Sequence, residues 1–480
     1  MAKFWFMALA LLVSAGLWSA PAMAAANETD DVGSTQSNGG EDGAADATLG
    51  SKGLVWTTDG FSLRVTTRVQ FRLTYQNEVA NGENGTNGRD FVNFNIRRAK
   101  TKFSGHIFQK EFQYELLLGW THGSANLIEE AWFRWAFMQY ININAGQEKL
   151  DFNWEESTSS GNQQFVERSL LNETFNEDYA KGIWIDGRIG EDVTWLKYVI
   201  GVYNGVLRGN NDFRNNDQRI NAEVFTDGVV DGEMMLNLRL ETHPLGDVAH
   251  GMGDMRGEDE YDQVLFAVGV GVNYFISGFN NPDLRPDSVG TATASGRNRT
   301  MQDTWTMTMD AHFRWHGLSA DLALFYRHTD FHNRGRNRYS PTSSYHNGIG
   351  DLTDIGWGIE VAYFILAKEL SVAVRFNSVD ADEFWMNGSD GRDFGIRPDS
   401  TELGLAVNYY IQGNNLKITF DITMVSQQLP FLANADANAT SQALKGVYNA
   451  PPGRNAFGGS LESADHNDIW LIRLQLQWIF

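Results

Sequence analysis

The stretch Phe61–Gln76 reads FSLRVTTRVQFRLTYQ. Taken at every second residue it separates into two sets. Leu63, Val65, Val69, Phe71, Leu73 and Tyr75 fall on one face, and Arg64, Thr66, Arg68, Gln70 and Arg72 on the other. Successive side chains of a strand point to opposite sides, so this period of two predicts an extended segment with one apolar and one polar face. The same alternation returns along the chain. Val264, Phe266, Val268, Val270, Val272, Tyr274 and Ile276 form one apolar row, and Trp305, Met307, Met309, Ala311, Phe313 and Trp315 another. Every second residue of Ile355–Ile365, Leu403–Ile411 and Leu416–Met424 is apolar as well. In the last stretch Trp470, Ile472, Leu474, Leu476, Trp478 and Phe480 oppose Arg473, Gln475 and Gln477.

Strands of soluble sandwiches run about five or six residues. These rows run ten to fourteen, long enough for a tilted strand to cross a bilayer. Trp305, Trp315, Tyr409, Trp470 and Trp478 sit near row ends, where an interfacial aromatic girdle would lie. Sixteen strands are expected, starting near Phe61, Phe91, Lys110, Leu127, Tyr140, Lys181, Val193, Glu233, Asp262, Asp303, Leu318, Asp354, Glu369, Ser400, Asn414 and Asp468. Their connections alternate between short (His106–Gln109, Gly190–Asp192, His316–Gly317, Gln412–Gly413) and long (Asp151–Ala180, Asn204–Gly232, Ser277–Gln302). That is the periplasmic and extracellular asymmetry of a transmembrane barrel. Pro244–Glu260 breaks the rule, being long and acidic where a short turn is due. The fold class expected is all-β, a transmembrane antiparallel β-barrel.

The 480 residues include no cysteine, and 38 Lys+Arg stand against 60 Asp+Glu, a formal charge of −22. Disulfides, thiolate chemistry and Cys-based metal sites are thereby excluded. The acidity argues against nucleic acid as a partner. Lys3, the apolar run Phe4–Leu17 and Ala22-Met23-Ala24 predict a secretory signal peptide over 1–24. An Asn/Asp/Gly/Ser-rich flexible acidic leader is expected over 25–55, and the barrel over 56–480. No stretch approaches ~18 consecutive apolar residues, so no transmembrane helix is expected. The terminal Phe480 after an alternating aromatic strand fits barrels inserted into the outer membrane.

Several motifs go further. Phe94-Asn-Ile-Arg97-Arg98-Ala99-Lys100 is followed by Glu129-Glu130-Ala131-Trp132 and Asn144-Ala-Gly146-Gln147-Glu-Lys149. Then come Glu155-Glu156-Ser-Thr-Ser159-Ser160, Phe165-Val-Glu167-Arg168 and Gly182-Ile183. In order and spacing this text resembles the phosphate-selective porin O/P family. The resemblance implies a homotrimer of 16-stranded barrels whose third extracellular loop folds inward to narrow the pore. By the strand starts alone, Asp151–Ala180 is the third connection on the long-loop side.

A passive pore needs no catalytic group or cofactor; width and lining charge set its selectivity. A guanidinium facing lipid near mid-membrane costs ~2–4 kcal/mol, so the strand cations should face water. Candidate pore-lining bases are Arg64, Arg68, Arg72, Arg98, Lys100, Lys102, Arg134 and Lys149. Phe94 and Ile96 share parity with Arg98, which predicts a bulge in the second strand or aromatic lumen residues near its top. The candidate constriction loop carries Asp151, Glu155, Glu156, Glu167, Arg168 and Glu173; Glu167 and Arg168 are expected to pair locally. Acids also fall on lumen faces (Glu115, Glu130, Asp310, Asp321, Glu360, Asp421), which makes phosphate selectivity the weakest part of the family's implication. Loop acids such as Asp380, Asp382, Glu383, Asp390 and Asp393 could meet lipopolysaccharide through divalent cations; no metal-loop spacing is present. No G-x-S-x-G, H-E-x-x-H or Walker-type loop occurs, so no enzyme is expected. The function expected is passive diffusion of small hydrophilic solutes and ions, with phosphate or other anions among them. The competing reading is a binding or structural barrel with a closed pore and adhesive acidic loops.

Overall fold

The computed structural model describes residues 46–50, 53–82, 89–121, 127–138, 140–176, 179–190, 193–204, 234–276, 302–331, 352–381, 385–387, 393–395, 399–428 and 464–480. The expected signal peptide, most of the leader and the connections 205–233, 277–301, 332–351 and 429–463 lie outside them, as do Asp382, Glu383 and Asp390.

Two short strands come first, β1 (Asp46–Gly50) and β2 (Gly53–Thr58). Then follow β3 (Phe61–Gly82), β4 (Arg89–Ile107), β5 (Phe112–Gly119), β6 (Ile128–Met138), β7 (Ile141–Lys149), β8 (Tyr179–Ile189) and β9 (Thr194–Asn204). The next are β10 (Met234–His243), β11 (Leu265–Ile276), β12 (Gln302–Trp315), β13 (Leu318–Phe331), β14 (Leu352–Leu366) and β15 (Leu370–Ala381). β16 (Trp385–Asn387) and β17 (Asp393–Gly395) pair with each other in a separate ribbon. β18 (Ser400–Gln412), β19 (Leu416–Gln428) and β20 (Ala464–Ile479) complete the series. From β3 onward each strand pairs antiparallel with the next, β15 with β18 across the ribbon, and β20 returns to β3. The result is a closed antiparallel barrel of 16 strands. Every strand start expected from the alternation falls within four residues of an observed one.

Burial is inverted relative to a soluble protein. Along β12, Thr304, Thr306, Thr308, Asp310, His312 and Arg314 are buried, whereas Trp305, Met307 and Met309 are exposed. β18 behaves alike, with Glu402 and Asn408 buried and Leu403, Leu405 and Ile411 exposed. The polar row faces inward and the apolar row faces lipid, because unpaired polar groups on the lipid side would be costly. Exposed aromatics cluster at strand ends: Tyr140, Trp195, Trp315, Tyr363, Trp478 and Phe480 at the short-turn end, and Trp305, Trp357 and Trp470 toward the other. The two-residue turn His316–Gly317 has φ of 50° and 73°. Positive φ at both central residues matches the right-handed twist of a two-residue hairpin.

The leader boundary needs correction. β20 reaches only Arg68 of β3, through Ile479, and β2 then takes over the same edge from Val65 to Phe61. β1 folds back on β2. Without β2 the lower end of β3 would present unpaired backbone groups, so strand pairing reaches back to Asp46, inside the span expected as leader.

Candidate functional site

The segment between β7 and β8 contains two short helices, α1 (Trp154–Ser157) and α2 (Leu170–Phe175). Asn153 Oδ1 caps α1 by accepting from Glu156 N, and Ser169 Oγ caps α2 by accepting from Asn172 N. The segment brings its own apolar side chains. Leu150, Phe152, Leu171 and Phe175 pack with Phe325 of β13 and Val379 of β15. Phe165 packs on Ala362, Ala373 and Ala406. Glycines on the wall make this approach possible: a Cβ on Gly271 would lie 2.1 Å from Phe152 O, and one on Gly404 2.7 Å from the Phe165 ring.

Polar contacts then tie the segment to the inward faces of strands all round the ring. On one side Arg72 donates to Glu167 (2.6 Å) and to Val166 O (3.2 Å), and Gln70 to Ser160 O (3.3 Å). On the other, Asp421 accepts from Val166 N (2.9 Å), and Arg473 in turn holds Asp421 at 2.7 and 2.8 Å. Glu402 accepts from Leu170 N (2.6 Å) and is paired with Arg375, which also donates to Glu167 O (3.1 Å). Lys417 donates to Gln163 O (2.7 Å), and Gln164 Oε1 accepts from Ser371 and Asn408, each at 2.8 Å. On β10, Asn237 donates to Asp151 O (3.2 Å).

The bulge expected in the second strand is present. Gln70 faces Arg98 and Phe71 faces Ile96, so Arg97 is the extra residue of β4. It restores Phe94 and Ile96 to the outer face and lets two consecutive arginines reach one carboxylate. Glu167 accepts from Arg97 at 2.5 Å, Arg98 at 2.7 Å and Arg72 at 2.6 Å. Burial would raise the Glu167 carboxyl, but Arg98, Arg72 and Arg97 together hold it well below the usual carboxylate range. The local Glu167–Arg168 pair is therefore a correction. Neighbours in an extended stretch diverge, and Arg168 instead meets Glu156 (3.2 Å) and the carbonyls of Glu155, Glu156 and Thr158. Glu155 accepts from Ser169 N (2.7 Å) and Oγ (2.5 Å), and burial pushes its carboxyl up.

Between this segment and the β3–β8 wall lies a cavity of about 570 Å³. Among the described residues its lining holds seven cations, Arg68, Arg97, Arg98, Lys100, Lys102, Lys149 and Arg168, and seven acids, Glu115, Glu129, Glu130, Glu148, Asp151, Glu156 and Glu173. Several face each other in pairs: Lys100 with Glu129, Lys102 with Glu115 (2.7 Å), and Lys149 with Glu156 (3.5 Å). Arg68 donates to Ser159 Oγ (2.8 Å). Three expected bases stand apart from the cavity: Arg72, which is bonded to Glu167 and Val166 O, and Arg64 and Arg134. Arg64 is exposed near the short-turn end, and Arg134 is bonded to Asn144 (2.7 Å) and Asp186 (2.8 Å). Asp151 accepts from Ser157 Oγ (2.5 Å) and lies 3.7 Å from Lys197. On β12 and β13, His312 bonds Asp310 and Asp321, and Ser319 bonds Ala362 O, while His316 is exposed at the turn.

Sequence reasoning missed Gln163, Gln164 and Glu402 as anchors, since alternation assigns a residue to a face and says nothing of what covers it. It also left Pro244–Glu260 unexplained. Residues 244–264 turn back from the short-turn end toward the loop: Met252 N donates to Asn162 O at 3.0 Å, and Arg314 donates to Gly251 O at 2.9 Å.

Residues 67–253 match the family model described as phosphate-selective porin O and P. Over this stretch the chain is similar to the phosphate-selective porins. With the closed barrel, this similarity makes the chain an outer-membrane channel for solute diffusion rather than an enzyme. Solved porins are similar in fold. The anion-selective porin from Comamonas acidovorans is 7% identical, with 87% of this chain and 100% of that one covered and a TM-score of 0.48. OmpT of Vibrio cholerae is 9% identical, covering 88% and 99%, at 0.46. The outer membrane channel DcaP of Acinetobacter baumannii is 10% identical, covering 88% and 98%, at 0.46. A comparison with curated proteins finds no match.

Proposed function

We propose that the cavity beside β3–β8 is the narrow passage of this porin and that residues 150–176 set its width. The observation that carries the reading is the loop itself, bonded to inward faces on both sides of the ring while leaving one side open. The passage takes small hydrophilic solutes. Its lining charges are balanced, seven against seven among the described residues, so no net field favours anions. The guanidinium cluster of Arg72, Arg97 and Arg98 is occupied by Glu167. Phosphate and chloride pass as polar solutes without strong selection. The working unit is a homotrimer, as the family resemblance implies, seated in outer-membrane lipid and lipopolysaccharide.

Planar-bilayer recording tests this. Purified folded protein should give stepwise conductance, with a reversal potential near zero in a salt gradient. Deleting Asn153–Gln164 should enlarge the steps. An absence of conductance from folded protein would favour the closed, adhesive barrel. Phosphate block of chloride current at low concentration would restore the family's named preference.

A further inference from the structure

The loop segment 150–176 is held from two directions, and the second hold comes from the short-turn end of the barrel. Where β12 and β13 are joined by two residues, β10 and β11 are joined by residues 244–264. So long an ordered connection carries a large entropic cost that a tight turn would avoid. Its contacts show what it does. Met252 N donates to Asn162 O (3.0 Å), Gln164 Nε2 donates to Met252 O (2.7 Å), and Asn162 Nδ2 donates to His250 O (3.4 Å). The Trp154 ring lies between two imidazoles, His250 at 4.1 Å and His312 at 4.0 Å, both nearly parallel to it. Val248 and Met252 close over the same indole. Gly253, at φ +101°, comes so near that a Cβ would sit 2.1 Å from Gln164 Nε2.

We infer that residues 244–264 are a brace that positions the constriction loop, with His250 and Trp154 as its positioning residues. The inference rests on the channel reading above. The reason is adjacency. Ser159 and Ser160 face the passage, while Asn162 and Gln164, two to five residues on, are the ones the brace holds. Shifting the brace therefore moves the residues that define the passage. The width of the channel is set from the periplasmic side as well as from the β3–β4 wall.

The chain has no cysteine, which allows a reversible staple. A Cβ on Gly251 would lie 3.8 Å from Asn162 Cβ, inside the spacing of a disulfide, about 3.5–4.5 Å. Single-channel recordings would compare His250→Ala, His250→Phe, and His250→Ala carrying Asn162→Cys with Gly251→Cys. His250→Ala should widen the spread of conductance levels about twofold or more, because a packed element released from its brace gains a second arrangement. His250→Phe, which keeps the stack, should behave as the unmodified protein. Oxidising the double-cysteine variant should restore a single level, and reduction should lose it again. Unchanged conductance and noise in His250→Ala, or no rescue on oxidation, would overturn the brace. If His250→Ala fails to fold, His250→Leu, which fills the same space without the flat stack, takes its place with and without the cysteine pair: unchanged noise, or no rescue on oxidation, overturns the brace, and noise that oxidation removes supports it. Silence of the unmodified folded protein would overturn the channel reading, and this inference with it.

Discussion

Along β3–β8, Arg68, Lys100 and Lys102 face a cavity of about 570 Å³. Along β10–β19 the same residue types are covered. Arg239 meets Asp310 at 2.6 Å and Glu241 at 2.8 Å, Arg375 is paired with Glu402, and Asp421 receives Arg473. Arg239 and Arg375 are only 1% and 2% exposed. Both rows occupy the inward face of one barrel. What separates them is the loop, which lies against the second half and leaves the first open. A lumen arginine thus lines a cavity in one half, where we propose that it meets the solute, and is a structural ion pair in the other.

The sharpest way to break that comparison is to truncate one arginine from each half. Arg375→Ala strands Glu402 without its cation and removes a donor to Glu167 O. Losing one partner of a buried pair costs about 3–5 kcal/mol, so the heat-modifiable band on a gel should convert at clearly lower temperature. Arg68→Ala should cost less than about 1 kcal/mol and change conductance instead. Equal thermal losses in both variants would erase the distinction between the halves.

A second test targets the carboxylate that joins loop to open wall. Glu167→Gln leaves Arg72, Arg97 and Arg98 without their counter-charge. Reversal potentials should move toward anion preference, with phosphate gaining relative to the unmodified channel. No movement would mean that these guanidiniums do not meet the solute path.

The smallest effect is on pH dependence. The folded-state Glu167 carboxyl lies well below the usual value, held there against burial by Arg98, Arg72 and Arg97. A depressed carboxylate contributes stability that is complete above its unfolded value, about 4.3, and that is lost as pH falls through the folded value. Acidification below about pH 4 should therefore loosen the loop and unsettle conductance. Glu167→Gln should lack that acid-induced change, and an identical acid response in both proteins would assign it elsewhere.

The ring of strands was legible because lipid outside and water inside impose a strict period of two, and long and short connections then set the order. The bulge was legible too, since Phe94 and Ile96 carried the wrong parity for Arg98. The loop's anchors were not. Gln164 is held by Ser371, Asn408 and Met252 O, far away in sequence, and nothing local marks it. The leader was misjudged at its end because β2 is stabilised by an open edge of β3, a tertiary vacancy that composition cannot report. The connection 244–264 looked anomalous for the same reason: its purpose lies in a contact with Trp154 and Asn162.

The extra residue at Arg97 has a consequence for how this sequence tolerates length change. Elsewhere in a spanning strand, losing one residue turns every following side chain inside out. At Arg97 the extra residue is already unmatched, because Gln70 pairs with Arg98 and Phe71 with Ile96. Deleting Arg97 would iron the strand flat and leave both partners where they are. It is the one described point on β4 where a codon-sized deletion should still yield a folded barrel, while the same deletion at Ala99 or Thr101 should not. Expression of these three deletions, scored by heat-modifiable migration, would show whether the bulge is a site of insertion that the strand could shed.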